Sequence, residues 1–172
     1  VFEPEVLKVY AKHYQTGEVI PQELVDKIVK SSKYGQGFAT VEYLAASLLD
    51  MDYHTLKEQL PGMDIEAFEA EAMNKRGLIR QIPPRYRTTY FGHTMEGGYT
   101  AGYYSYIWAE VLDADAFEAY KETGDIFNPE VASKFRKYVL TPGGIDDAMD
   151  MYKNFRGKEP GIEPLLKNRG LK

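Results

Sequence analysis

The residues best suited to chemistry lie together in one segment, His93-Thr94-Met95-Glu96-Gly97-Gly98-Tyr99-Thr100-Ala101-Gly102-Tyr103-Tyr104-Ser105-Tyr106. Phenol and imidazole groups are neutral hydrogen-bond donors. A fixed set of such donors stabilises the oxyanion that develops when a carbonyl is attacked. Gly97 and Gly98 allow the backbone to approach a ligand closely, or to move as one binds. With a helix beginning at Tyr99, the side chains of Tyr99, Tyr103 and Tyr106 fall at i, i+4 and i+7 and form one stripe, which Glu110 continues. The same stripe is also what an aromatic face buried in a core looks like. Ile107, Val111 and Leu112 on the other side already supply a core face, which leaves the tyrosines surplus to packing.

The remaining candidates are weaker. The other two histidines, His13 and His54, form no HExxH pair with His93 or each other, so no metal ligand is assigned within this chain. His13 reads as a packed or partly exposed residue on the apolar side of its helix. Asp50, Asp52 and His54 alternate in a way that does not put all three on one helix face, so a structural role is expected. Arg85 and Arg87 could hold a peptide carboxylate or take part in structural ion pairs. The pair Gly143 and Gly144 precedes Asp146 and Asp147, whose charge argues against an anion at that helix start. Asp113 and Asp115 lack the glycine of a calcium loop.

Composition narrows the classes further. There is no cysteine, which excludes disulfides, a thiolate nucleophile and cysteine-ligated zinc. A net charge of −5 with mixed signs offers no basic stripe, so nucleic acid is not expected as a partner. No apolar run approaches membrane-spanning length, and no basic segment followed by an apolar run opens the chain, so no membrane partner is expected. The lack of disulfides suits the cytoplasm and is compatible with the periplasm. The chain begins at Val1 rather than a methionine, which fits a piece of a longer or processed protein.

The elements that must position the segment read as helices with clear punctuation. Helices are expected over residues 4–14, from Pro21 to about Gly35, over 40–56 as the core helix, and over 64–76 with Asp64 as N-cap and Gly77 closing it. Residues 79–90, with Pro83 and Pro84, read as an extended linker into a glycine-containing loop at 92–98. A long helix is expected over 99–121. Asn128 and Pro129 open a helix to about 140, followed by helices over 146–155 and 163–168. No alternating strand pattern appears. The fold class is all-α, with residues 1–172 as a single helical region.

The stretch PPRYRTTYFGHTMEGGYTAGYYSYIWAEVLDADAFEAY resembles the peptidyl-dipeptidase and oligopeptidase A group of the thimet oligopeptidase family of zinc metallopeptidases. VYAKHYQTGEVIP and YLAASLLDMDYH resemble helices that follow the zinc motif in the peptidyl-dipeptidase branch. FRKYVLTPGGIDDAMDMYKNFRGKEPGIEPLLKNRGL resembles the family's C-terminal tail. The resemblance implies an oligopeptide substrate, zinc as cofactor, and hydrolysis releasing C-terminal dipeptides. The six-residue step from His93 to Tyr99 favours that branch. It implies that Tyr106 and His93 donate to the oxyanion or nearby peptide groups, and that Tyr99, Tyr103, Gly97 and Gly98 contact substrate. Glu96 stands where the family's loop usually has a third glycine. The HExxH segment, its base and the downstream glutamate are not in this sequence. By resemblance they lie in a preceding part of the catalytic domain, and this chain alone is expected to be inactive. The alternative is a non-enzymatic helical peptide-binding or scaffold module that uses the aromatic face as a groove.

Overall fold

A computed structural model describes residues 2–58 and 61–172. Among them the architecture is all-α, as expected, with an isolated antiparallel bridge between Lys12 and Val19 in place of any strand. Along the chain run α1 (Pro4–Tyr10), α2 (Gln22–Ser32), α3 (Gln36–His54), α4 (Ile65–Lys75), α5 (Gly92–Met95), α6 (Ser105–Lys121), α7 (Pro129–Phe135), α8 (Ala148–Arg156) and α9 (Glu163–Asn168). No helix among the described residues is long and apolar enough to cross a membrane.

Local chemistry explains most boundaries. Asp64 caps α4 by accepting from the N–H groups of Glu66 and Ala67. Asn128 caps α7 in the same way, with Pro129 in its first turn. Asp147 caps α8, which Gly157 ends in the left-handed conformation at φ 80°. Such caps satisfy amides that the helix cannot pair internally, at about 1 kcal/mol each. The helix expected to run to residue 140 continues past α7 as one wider π turn at Arg136–Leu140. The helix expected to run to residue 14 stops at Tyr10 instead. There His13 N–H turns to Glu18 O and Ile20 N–H to Ala11 O, both at 2.8 Å, around Gly17 at φ 73°. His13 therefore sits in an exposed turn, not on a helix face, and its Nδ1 accepts from Thr16 N–H at 3.2 Å.

The chain divides into two compact units, one of Val1–Tyr34 with Glu110–Lys172 and one of Gly35–Ala109. In the second, α3 serves two small cores from neighbouring positions. Ala45 and Leu49 pack with Met73 of α4, bordered by Tyr53, Phe68 and Leu78. Ala46 packs with Phe91 and Tyr103, bordered by Tyr43 and Tyr86. Buried Glu69 of α4 fastens the linker: it pairs with Arg87 and accepts from the Thr88 amide at 2.9 Å and hydroxyl at 2.8 Å. Arg85 reaches Glu42 at 3.4 Å. Both arginines are thus engaged in structural ion pairs.

The first unit is organised around a buried charge. Asp115 of α6, only 3% exposed, accepts from the Tyr152 hydroxyl at 2.6 Å and from Arg156 Nε at 3.2 Å. Arg156 also makes a two-pronged bond to Glu122, at 2.7 and 2.8 Å. A buried carboxylate is tolerable only when partnered in this way. In the same unit Phe135 and Phe155 stack edge to face at 5.2 Å.

Candidate active site

The tyrosines meet, but a turn rather than a helix brings them together. Helix α6 starts at Ser105, so Tyr99 and Tyr103 precede it and the expected stripe over three helical turns does not exist. The reason lies at residues 101 and 102. Ala101 has φ 55°, a left-handed conformation that a helix cannot continue through. A Cβ on Gly102 would lie 2.7 Å from the Tyr99 carbonyl oxygen, so the chain passes too close for any side chain there. Tyr99 N–H closes the preceding loop on His93 O at 2.8 Å, across Gly97 at φ 96°. Glu96 folds back until its carboxylate would sit 3.3 Å from a Cβ on Gly92, which keeps it beside the backbone of α5.

The result is a compact aromatic cluster. The Tyr106 hydroxyl donates to the Tyr99 hydroxyl at 3.2 Å. The His93 ring stacks on Tyr99 at 5.9 Å between centroids, with interplanar angle 15°. It meets Tyr103 edge to face at 5.6 Å and Tyr106 at 6.5 Å. Tyr86 lies closer still to His93, at 4.6 Å.

The members differ in exposure, and so in what they can do. Tyr99 and Tyr106 are 41% and 40% exposed, and Gly97 and Gly98 lie on the surface beside them. His93 is half-buried. Tyr103 is 3% exposed and differs from the expectation that it lines an open cleft with the other two. Its ring fills the core against Phe91 at 5.0 Å, and burial pushes its phenol up to about 12, with Tyr86 nearby adding to the effect. The Tyr106 phenol is also raised above its ordinary value, chiefly by its hydrogen bond with Tyr99. Both stay protonated donors well above neutral pH.

Three residues that the sequence did not place at this site hold the cluster, among them Asp50, for which a structural role was expected. Tyr86 packs against the rings of His93 and Tyr103 and stacks on Phe91 beneath them. Tyr43 of α3 donates its hydroxyl to Tyr103 O at 2.8 Å and accepts from Ile107 N–H at 3.1 Å. Asp50 of α3, fully buried, accepts from the amides of Ala101 at 3.2 Å and Tyr103 at 3.0 Å. Its third partner is His54, whose Nδ1 lies 2.9 Å from the carboxylate. The alternation of Asp50, Asp52 and His54 had hidden this pair. Positions 50 and 54 do share a face, while Asp52 turns away to Arg76 at 3.0 Å. A carboxylate inside the most apolar helix of the chain was the available signal.

No group of three or more His, Cys, Asp or Glu among the described residues could hold a metal ion. His54 is occupied by Asp50, His93 is enclosed by aromatic rings and His13 lies in its separate turn. The described residues of this chain therefore do not by themselves fit a zinc site.

An exposed pair of phenol donors, a histidine against them and a glycine loop alongside make a surface suited to polar groups of an extended ligand. Comparison with known proteins gives this surface its context. The model of peptidase family M3 matches residues 1–171, and the chain belongs to that family. Among its relatives, the dipeptidyl carboxypeptidase of Escherichia coli is 40% identical over 98% of this chain. The oligopeptidase A of the same organism is 38% identical over 99%, and saccharolysin of Saccharomyces cerevisiae 34% identical over 94%. The chain spans about a quarter of the length of the first two.

Proposed function

We propose that this chain forms one wall of the substrate cleft in a larger zinc peptidase that hydrolyses oligopeptides, releasing dipeptides from their C-termini. What carries the reading is the exposed Tyr106–Tyr99 hydroxyl pair beside His93 in a member of a peptidase family. Tyr106 donates to the oxyanion formed when the scissile carbonyl is attacked, and His93 donates to the oxyanion or to an adjacent peptide group. Tyr99 accepts a hydrogen bond from the single Tyr106 hydroxyl proton before substrate binds, then donates its own back to the Tyr106 oxygen as Tyr106 turns to the oxyanion, and it contacts substrate. Gly97 and Gly98 let the peptide backbone lie close to the loop. Tyr103 supports these groups from beneath. Metal ligands and the base come from the rest of the catalytic domain, which makes this chain inactive alone.

The dipeptide-releasing specificity is supported by the match to a dipeptidyl carboxypeptidase and by the six-residue step from His93 to Tyr99. The test is Tyr106→Phe in the full-length enzyme. Removing one oxyanion donor costs on the order of 100-fold or more in kcat. Bound zinc and thermal stability are expected to stay near wild type. Wild-type turnover in this variant would sink the role of Tyr106 and leave the cluster as a packing or peptide-binding surface.

A further inference from the structure

Asp50 lies in the core helix α3, yet both of its carboxylate oxygens point at the loop that carries the tyrosines. One accepts from Ala101 N–H at 3.2 Å and the other from Tyr103 N–H at 3.0 Å. Ala101 has φ 55°, the single positive value at a non-glycine residue among those described. An alanine held there is strained, so the conformation persists only where its surroundings enforce it. Asp50 is that enforcement. Two charge-assisted bonds clamp the amides on either side of Gly102, where the chain turns too tightly for a side chain. The turn sets the direction in which Tyr99 leaves the loop and the point at which α6 begins, and hence where Tyr106 meets it.

We propose that Asp50 is a positioning residue for the proposed hydrolysis: it fixes the left-handed turn at Ala101 so that Tyr99 holds the Tyr106 hydroxyl in place for the oxyanion. This rests on the reading of Tyr106 as a donor. His54 completes the arrangement. With its Nδ1 at 2.9 Å, it gives the buried carboxylate a third partner and holds it in the rotamer that faces the loop. A carboxylate is required because it is acceptor-only. An asparagine would present an NH₂ group to one of the two amides and could not satisfy both.

The experiment is a double-mutant cycle in the full-length peptidase with an internally quenched peptide. The variants are Asp50→Asn, Tyr106→Phe and the two combined. Asp50→Asn is expected to lower kcat by about 10- to 100-fold, the effect of misplacing a donor by about an ångström, with KM changed far less. Adding it to Tyr106→Phe should cost little more than Tyr106→Phe alone, because the oxyanion donor that the turn positions is already gone. A purely structural role would lower the melting temperature and leave kcat of the folded enzyme intact, or give fully additive losses, and either result overturns the proposal. Should Asp50→Asn not fold, Ala101→Val tests the same turn from the loop side, because a β-branched residue resists φ 55° while Asp50 keeps its charge and its place. The same kcat loss and non-additivity are expected, and wild-type kcat there refutes positioning. Wild-type kcat in Tyr106→Phe would refute the donor reading itself, whatever Asp50→Asn does.

Discussion

The Tyr106 hydroxyl donates to the Tyr99 hydroxyl at 3.2 Å, one from the first turn of α6 and the other from the loop before it. The bond makes Tyr106 a weaker acid than a free phenol. A donor acts only while protonated, so the high-pH limb of the full-length enzyme's kcat profile should fall as pH rises through the Tyr106 pKa. That limb should lie above the ordinary tyrosine value of about 10. Replacing Tyr99 by Phe removes the largest cause of the shift and should move the limb to lower pH. A limb that does not move would show that Tyr106 is not the group being titrated.

Gly102→Ala should be severe for a mutation that adds one methyl group. The new Cβ would sit 2.7 Å from the Tyr99 carbonyl oxygen, a backbone atom that cannot swing aside. The turn must open, at a cost of about 1–3 kcal/mol. Urea denaturation should show the loss, and kcat should fall with it because Tyr99 moves. A variant with wild-type stability would mean that the turn is looser than its geometry implies.

Arg156→Met tests the buried charge of the first unit. It strips Asp115 of its cationic partner and leaves only the Tyr152 hydroxyl. Breaking a buried pair from one side costs about 3–5 kcal/mol. The loss should appear in denaturant unfolding. Asp115→Asn added to Arg156→Met should recover part of it, since the stranded charge is then gone.

Tyr103 gives a second pH signature. Its phenol is raised to about 12 in the folded protein, against an ordinary value of about 10 in the unfolded chain. The neutral form is therefore favoured by folding. Its contribution is fully present below pH 10 and is lost as pH rises through about 12. Alkaline unfolding monitored by tyrosinate absorbance should show that loss, and Tyr103→Phe should remove the Tyr103 part of the titration.

Much of the fold could be read from local chemistry because local chemistry decides it. The last helix, Glu163–Asn168, lies where Pro164 and Gly170 put it, and the caps at Asp64 and Asn128 are where their side chains predict. The start of α6 was misplaced by six residues for a different reason. Nothing within residues 99–104 forbids a helix as firmly as the turn does, and that turn is held by Asp50, fifty-one residues from Ala101. The candidate site follows the same division. Its members, His93, Tyr99 and Tyr106, were visible in spacing and residue type. The depth of Tyr103 was not, since a helical stripe would have put all three rings on one surface.

The double use of the Tyr43 hydroxyl extends beyond the finished structure to the order in which it assembles. The first turn of α6 has one of its amides, Ile107 N–H, satisfied by a side chain sixty-four positions earlier on α3, and the same hydroxyl ties down Tyr103 O. That turn therefore gains this partner only after α3 has docked, so its formation waits on a long loop closure rather than on a local nucleus. The Ile107 amide should accordingly be a reporter of that late event, exchanging with solvent deuterium whenever α3 lets go.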